Sequence, residues 1–410
     1  MMIHGRVFVP FVLLLSLASY AQVASMTPYT GQGVSFIRPV SWNANSANGT
    51  VFTGGAALRL WSNPSFSPDG EKVAFLSFAL DSKIQLCIAN LQTKRLFCFP
   101  EILIDSASPA SPVTMDLVTP RFTPDGTRIL FAGRRSEPPG NAGVFLSNLD
   151  GTGVHSLFEC SICAGFQGNG ISLSSDGQLV AFAHGHDGQP GAITVIDVQG
   201  RAHSSFLTDI QERVDPTVSF SPDGSKILFA SFHSITLKAR VFLADLQTRS
   251  LQILQQFQDA SLHSAGIKSP FFSPDGREIV FSAPILLPGH PKGELRYHVF
   301  KAGVTSARRT MLTSDAGVDP VFLPNGVQIV FVPVRRKTSG ALVQSGIYLM
   351  GAAGQNRRQV ARTSSTGEVK FVVSPDGMKI AYTDGPWDQR DLFLVNIDGT
   401  ARIRLRDLLQ

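Results

Sequence analysis

The sequence predicts an all-β protein made of seven sheets with four short strands each, and three observations lead to that prediction. One four-residue motif recurs seven times, with its glycines 47 to 56 residues apart, a period typical of repeat architectures. Apolar residues recur at fixed offsets from every copy. The 410 residues include 37 Gly and 25 Pro, while only 16% are charged, as in β-rich proteins with many turns. Seven such units predict a seven-bladed β-propeller, because a closed ring protects the sheet edges.

The recurring motif, Ser67-Pro68-Asp69-Gly70 in its first copy, predicts a hairpin turn. Proline sets φ at the first turn position, Asp accepts backbone N–H bonds, and Gly takes the left-handed conformation. A residue pair present seven times is a structural device, so we predict a turn role and no catalytic role for its members. The turn pairs are Asp69 and Gly70, Asp125 and Gly126, Asp176 and Gly177, Asp223 and Gly224, Asp275 and Gly276, Asn325 and Gly326, and Asp376 and Gly377.

The residues around each turn predict two strands. A large apolar residue lies four positions before each turn glycine, as Phe66 does before Gly70. A β-branched residue lies three positions after the glycine and an aromatic residue five positions after it, as in Val73 and Phe75. Residues two apart share one face of a strand. Because the residue between them is also apolar, we expect these strands to be buried on both faces.

The N-terminal segment, residues 1–25, predicts a secretory signal peptide. Arg6 precedes the apolar run from Val7 to Leu17, and Ser19-Tyr20-Ala21 offers a cleavage site. The run is short for a membrane span, although a retained anchor is the alternative. We expect residues 26–55 to form an extension, residues 56–410 to form the propeller, and the mature chain to be periplasmic or secreted without a membrane span.

Each unit continues beyond the Pro-Asp-Gly hairpin with two further strands. A variable loop leads to the third strand, and a second tight turn leads to the fourth, as at Asp150-Gly151, Gln199-Gly200 and Asp398-Gly399. The last unit contains all four strands, so the sequence does not require a strand swapped from the other end. Whether the segment around Val34 supplies one stays open.

Two of the four cysteines are predicted to face each other across a hairpin. If Asn90 pairs with Arg95, then Cys87 lies opposite Cys98, close enough for a disulfide. The alternative is a pair of buried thiols. A disulfide suits an oxidising compartment.

The repeated pattern Phe-Ser-Pro-Asp-Gly-x-x-Ile-x-Phe resembles the WD-like propeller repeat of the TolB family. The resemblance covers roughly Ala56 to Gln410 and implies the propeller fold. It implies less about function, because periplasmic binding scaffolds, prolyl-peptidase-like enzymes and some propeller lyases share the repeat. We expect neither the N-terminal α/β domain of TolB nor the hydrolase domain of the peptidases.

The repeat places its tight turns on one face of the ring and its variable loops on the other, where binding is expected. Loop arginines there can form a cationic mouth for an acidic partner, although ordinary solvated charge is the alternative. The candidate ligand-binding residues are Arg134, Arg135, His184, His186, His233, Arg335 and Arg336. The connections between units add Asp209–Asp215, Asp315–Asp319 and Arg362–Glu368 to the same face.

A metal site is the second hypothesis for this face. Its candidate ligands are Cys160, Cys163, His184 and His186. The alternative is a local disulfide between Cys160 and Cys163 beside exposed histidines. We favour the disulfide, because an exported protein meets an oxidising compartment, and we therefore expect no resident metal or cofactor.

No local catalytic motif occurs in the sequence, and no catalytic residue is predicted. The net charge of +5 is small for a nucleic-acid-binding protein, so we expect no nucleic-acid partner. The sequence favours an exported, monomeric, non-catalytic scaffold that binds a protein or cell-envelope ligand. The alternative is a carbohydrate-active propeller enzyme, a lyase or hydrolase, that uses loop histidines with or without a metal.

Overall fold

Seven antiparallel sheets, one per sequence repeat, form the described part of the chain. The computed structural model describes residues 59–60, 64–78, 84–99, 120–134, 142–160, 170–184, 191–207, 212–233, 235–258, 266–285, 296–306, 308–336, 342–364, 368–386 and 390–409. The predicted signal peptide, the extension and the segment around Val34 lie outside these residues. The predicted seven-bladed propeller with four-stranded blades is confirmed, and in blades 1 and 6 one additional short strand (Arg59–Leu60 and Leu342–Gln344) pairs with the far end of the second strand of the repeat unit.

The first three blades contain strands β1 to β13. Blade 1 has β1 (Arg59–Leu60), β2 (Ser65–Phe66), β3 (Lys72–Phe78), β4 (Ile84–Asn90) and β5 (Arg95–Cys98). Blade 2 has β6 (Arg121–Phe122), β7 (Arg128–Arg134), β8 (Ala142–Asn148) and β9 (His155–Cys160). Blade 3 has β10 (Ile171–Leu173), β11 (Leu179–His184), β12 (Ala192–Asp197) and β13 (Ala202–Leu207).

The remaining four blades contain strands β14 to β30. Blade 4 has β14 (Glu212–Phe220), β15 (Lys226–His233), β16 (Lys238–Asp245) and β17 (Ser250–Gln258). Blade 5 has β18 (Lys268–Phe272), β19 (Glu278–Ile285), β20 (Arg296–Gly303) and β21 (Arg309–Met311). Blade 6 has β22 (Gly317–Phe322), β23 (Gln328–Arg336), β24 (Leu342–Gln344), β25 (Ile347–Gly351) and β26 (Arg358–Ala361). Blade 7 has β27 (Phe371–Val373), β28 (Lys379–Asp384), β29 (Asp391–Asn396) and β30 (Ile403–Arg404), which leads into the short helix α1 (Leu405–Leu408).

The hydrophobic core is divided among the junctions between blades. Each of the seven apolar clusters in the described part of the chain joins two adjacent blades. In β3, Val73 and Phe75 pack toward blade 7, whereas Ala74 and Leu76 pack toward blade 2. This alternation explains why the second strand of each unit is apolar on both faces, as the sequence predicts.

The ring closes by packing between the two terminal blades. Phe66 and Phe75 of blade 1 share one cluster with Ala381 and Leu394 of blade 7. Every sheet is built from one contiguous stretch of the described chain, so no described strand from one end completes the sheet at the other. Within the described residues, blade 7 therefore meets blade 1 through side-chain packing and without strand pairing.

The Pro-Asp-Gly turns have the geometry that their residue types predict. At the fourth turn, the Ser221 hydroxyl donates to Asp223 Oδ1 at 2.5 Å, and the same oxygen accepts the N–H of Ser225 at 3.0 Å. The seven turn glycines have φ between 69° and 72°, the left-handed region that favours glycine. Hydrogen bonds, first from Thr123 and then from the Thr127 backbone, lower the pKa of Asp125 to about 2. These carboxylates are turn acceptors.

The predicted register of the first blade's outer hairpin occurs in the structure. Asn90 pairs with Arg95, Cys87 lies opposite Cys98, and a disulfide joins the two cysteines. The bond ties the third strand of blade 1 to its fourth strand. The described part of the chain holds no helix with the length and apolar character that a membrane span needs.

Candidate functional site

The first strand of each blade lies nearest the ring axis. Starting at blade 7 and going through blade 1 and onward to blade 6, the first strand of each blade contacts the first strand of the next blade. These strands run toward the Pro-Asp-Gly turns, so each begins on the opposite side of the ring, which we call the loop face. Side chains at the beginnings of these strands therefore meet around the axis on the loop face.

A group of polar side chains lies around this position in blades 4 to 7, and we call it the axial mouth. Its members are Asp215, Lys268, Ser269, Tyr297, Asp319 and Glu368. Tyr297 comes from the start of the third strand of blade 5, and the other members come from the first strands or the connections before them. The Ser269 hydroxyl donates to Asp319 Oδ1 at 2.6 Å, which links blade 5 to blade 6. The Lys268 ammonium lies 5.1 Å from the centre of the Tyr297 ring. The axial mouth thus carries both signs of charge on adjacent blades.

Proline residues shape the backbone of the axial mouth. Pro216, Pro270 and Pro320 interrupt the first strands of blades 4, 5 and 6, and the pairing register shifts at each of them. Proline cannot donate a ladder hydrogen bond, so it is tolerated at such bulges. Ser269 and Asp319, each directly before a proline, have φ of 51° and 52°. Non-glycine residues rarely adopt this conformation, and it clusters at functional sites.

Asp215 is a carboxyl group of the axial mouth whose pKa is raised. Burial raises the pKa of Asp215 to about 6, and the nearby Asp319 carboxylate adds to the increase. The Thr217 N–H, at 2.9 Å from Oδ1, and the charge of Lys268 oppose it. Asp215 therefore exchanges its proton close to neutral pH.

Tyr297 remains a neutral hydrogen-bond donor beside these acids. Burial raises the pKa of Tyr297, and the charges of Asp215 and Asp319 raise it further. Its phenol therefore keeps its proton at physiological pH. A protonated phenol, an ammonium and two carboxylates together can both donate to and accept from a polar ligand.

Blade 7 contributes charges to the other side of the axial mouth. Lys370 pairs with Glu368, Nζ to Oε1, at 2.5 Å. Burial acts to raise the pKa of Glu368, but Lys370, Lys268 and Arg390 outweigh it and leave that pKa lowered. Glu368 is exposed to solvent, so its carboxylate stays ionised and accessible to a ligand.

Of the predicted arginines, the structure describes only backbone positions. Arg134 ends β7, where it pairs with Ala142, while Arg335 and Arg336 pair with Val343 and Leu342 at the end of β23. Their side chains, and Arg135 as a whole, lie outside what the structure describes. The cationic-mouth hypothesis therefore stays a prediction.

Two predicted histidines lie on strands and take part in internal contacts. The His184 ring lies 5.7 Å from both Phe158 and Phe182, and its Nε2 is 2.8 Å from Thr194 Oγ1. Burial lowers the pKa of His184, so the ring is neutral at physiological pH. These three contacts hold the imidazole between blades 2 and 3. His184 therefore differs from the exposed loop histidine that the sequence suggests.

His233 ends β15 and is only 9% exposed. Its Nδ1 accepts the N–H of Thr236 at 3.3 Å, within the connection that leads to β16. This bond satisfies a backbone donor of a tight connection. His186 lies outside the described residues, so only two of the predicted histidines can be placed.

The metal hypothesis receives no support from the described residues. Cys160 is disulfide-bonded, which removes the thiolate that a metal would need. No three His, Cys, Asp or Glu side chains in the described ranges lie together as metal ligands. Cys163 lies outside these ranges.

Comparison with known proteins supports the fold. A family model described as the TolB beta propeller domain matches residues 192–405. The β-propeller domain of the Trilobed protease from Pyrococcus furiosus is 14% identical, with a TM-score of 0.57 over 85% of this chain and 98% of that chain. An oligogalacturonate lyase in complex with manganese is 15% identical, with a TM-score of 0.60 over 83% of this chain and 90% of that chain.

A larger enzyme also contains a similar propeller. A puromycin-hydrolyzing peptidase from Mycobacterium tuberculosis is 13% identical, with a TM-score of 0.59. The match covers 86% of this chain and 54% of the peptidase, so this chain spans about half of its length. At these identities, the likenesses show a common fold alone.

Proposed function

The chain belongs to the TolB β-propeller domain family, and on that premise we propose that it is an exported, non-catalytic scaffold that binds a protein or cell-envelope ligand at the axial mouth. The predicted signal peptide supports export to the periplasm or the medium. The hydrogen bond between Ser269 and Asp319 is the main support for a binding site here. It joins two blades at residues with positive φ, a conformation that costs free energy and is found most often at functional sites.

The polarity of the axial mouth supports recognition of a polar segment. Lys268 and Glu368 are exposed, whereas Asp215, Tyr297 and Asp319 are half-buried. An incoming chain can therefore meet charges at the rim and hydrogen-bonding groups below them. Partial enclosure strengthens these interactions relative to fully exposed ones.

The predicted arginines extend the proposal to an acidic partner. Arg134, Arg135, Arg335 and Arg336 belong to the ends of β7 and β23 or the connections after them. Positive charge there would steer an acidic ligand toward the loop face. Lys268 belongs to the same face and would contribute to this field.

A capture experiment with matched variants tests the proposal. Immobilised full-length protein is incubated with envelope extract, and the bound proteins and glycans are identified by mass spectrometry. The variant Lys268→Glu reverses an exposed charge in the axial mouth. The control Arg201→Glu reverses a charge that is 72% exposed on the opposite, turn-bearing face. We expect Arg201→Glu to retain a ligand that Lys268→Glu loses, and retention by both variants would contradict the assignment of the site.

A carbohydrate-active enzyme is the second candidate, favoured by Asp215. A carboxyl group with a pKa of about 6 beside a protonated tyrosine is suited to proton transfer at neutral pH. Incubation with polyuronates and neutral polysaccharides, followed by chromatography of the products, tests this function. Cleavage that Asp215→Asn abolishes and Lys301→Gln retains would favour the enzyme over the scaffold.

A further inference from the structure

The seven first strands carry a second set of equivalent side chains close to the Pro-Asp-Gly turns. In every first strand, one apolar residue packs on the preceding blade, as Phe66 does in blade 1. The residue directly before it therefore lies on the opposite face of the strand, and these residues form the second set. Blades 1 to 4 contribute Ser65, Arg121, Ser172 and Ser219. Blades 5 to 7 contribute Phe271, Val321 and Val372. We call this set the axial ring. One half of it is polar and the other half is apolar.

Arg121 is the charged member of the axial ring. It is half-buried on β6, where its backbone pairs with Leu130. No residue that the structure describes makes a hydrogen bond or an ion pair with its guanidinium. Burial lowers the pKa of Arg121 to about 10, so the group is still charged at neutral pH. Its planar guanidinium carries five N–H donors, which a ligand with acceptor oxygens can engage.

Three guanidinium groups of blade 7 and the residues after it have carboxylate partners. Arg402 donates to Asp384 at 3.0 Å, and Arg404 lies 3.5 Å from Asp391. Asp391 is also bound by Arg406. Arg121 differs from these three arginines, because no described carboxylate compensates its charge.

The surroundings of Arg121 indicate the class of ligand. Ser65 and Ser172 occupy the equivalent positions of the two neighbouring blades, and their hydroxyls can donate to an anion. Phe271, Val321 and Val372 are half-buried in blades 5 to 7. Phe271 and Val372 pack partly against the apolar clusters between blades, and the parts of the three side chains that stay accessible suit an apolar group. A planar guanidinium matches a carboxylate with two parallel hydrogen bonds. A carboxylate next to an apolar side chain is the chemistry of a peptide that ends in an apolar residue.

We propose that the axial ring binds the C-terminal carboxylate of a peptide, with Arg121 holding the carboxylate and Phe271, Val321 and Val372 receiving the last side chain. The axial ring lies at the turn end of the first strands, whereas the axial mouth lies at their beginnings. The inference therefore goes beyond ligand binding on the loop face. It does not depend on that proposal.

A pair of peptides that differ only at the C-terminus tests the inference. The probes are an N-acetylated tetrapeptide ending in leucine, as the free acid and as the amide, titrated into the full-length protein by calorimetry. We expect the acid to bind the wild type at least tenfold more tightly than the amide. Arg121→Gln should remove that preference, and Arg121→Lys should keep part of it, since an ammonium cannot form the two-pronged contact.

Matched variants separate the axial ring from general charge effects. Arg128→Gln changes a half-buried arginine on the adjacent strand β7 and should keep the wild-type preference for the acid. Equal affinity for acid and amide, or no binding of either, would overturn the inference. Arg121-dependent binding of a free uronic acid in place of the peptide would also overturn it. The comparison of acid and amide on the wild type and on Arg121→Lys decides the outcome even if Arg121→Gln does not fold.

Discussion

The hydroxyl of Ser269 donates a hydrogen bond of 2.6 Å to Oδ1 of Asp319, and the two residues are 50 positions apart in the sequence. Both have positive φ and both precede a proline. The bond therefore joins equivalent bulges in the first strands of blades 5 and 6. It fixes the part of the axial mouth where a carboxylate faces the axis.

Removing this bond should destabilise the protein. Ser269 is 6% exposed, so Ser269→Ala removes a buried donor to the half-buried Asp319 carboxylate. We expect the free energy of unfolding to fall by about 1.5–3 kcal/mol, the range for hydrogen bonds to charged groups, as measured by chemical denaturation. Ser225→Ala is the control, because it removes an exposed serine–aspartate bond at a turn. A loss no larger than that of the control would show that the bond contributes little.

Asp215 should make stability depend on pH between about 4 and 7. Burial raises its pKa from the ordinary aspartate value of 3.8 to about 6 in the folded protein. Its contribution to the free energy of unfolding is therefore fully present below the lower value. That contribution is lost as the pH rises through the higher value, because the buried carboxyl must then ionise. We expect Asp215→Asn to gain about 2.4 kcal/mol of stability relative to the wild type between pH 4 and pH 7. Denaturant unfolding at both pH values measures this difference, and a constant difference would contradict the shift.

Two turn glycines should differ in their tolerance of alanine. A β-carbon added to Gly177 would lie 2.8 Å from Cδ of Pro124 in the preceding blade, whereas one added to Gly326 would lie 3.8 Å from Pro274. Both glycines have φ near 70°, which alone costs an alanine about 1–2 kcal/mol. Gly326→Ala should lose that amount, and Gly177→Ala should lose at least about 1 kcal/mol more through overpacking. Equal losses would show that the neighbouring turn moves away freely.

Charge reversal at the four predicted loop arginines tests the cationic mouth. Replacing Arg134, Arg135, Arg335 and Arg336 by Glu should change the free energy of unfolding by no more than about 1 kcal/mol, because exposed charges contribute little. Capture of an acidic partner from envelope extract should weaken, most strongly at low salt. Unchanged capture at low salt would remove these arginines from the proposed ligand-binding surface.

The local features of the repeat were predictable from the residues themselves. The turn at Ser221-Pro222-Asp223-Gly224 depends on contacts within five residues, and the opposition of Cys87 and Cys98 depends on one short hairpin. The candidate site was only partly predictable. The connections that contain Asp215, Asp319 and Glu368 were assigned to the variable face, because the direction of each strand follows from the repeat. The sequence pattern does not single out Lys268, Ser269 and Tyr297 as site residues. The Asp-Pro and Ser-Pro pairs of blades 4 to 6 are nevertheless a sequence signal of strand bulges.

The sequence by itself determined the number of blades, the turn at the end of each first strand and the face on which the units differ. These properties follow from steric preferences and strand periodicity, which act between neighbours along the chain. Only the tertiary structure decided which variable residues meet. Closing the ring brings Ser269 to Asp319 and leaves Arg121 half-buried. It also encloses the rings of His184 and His233. Burial and charge pairing depend on those distant neighbours, so no single repeat contains the information that sets them.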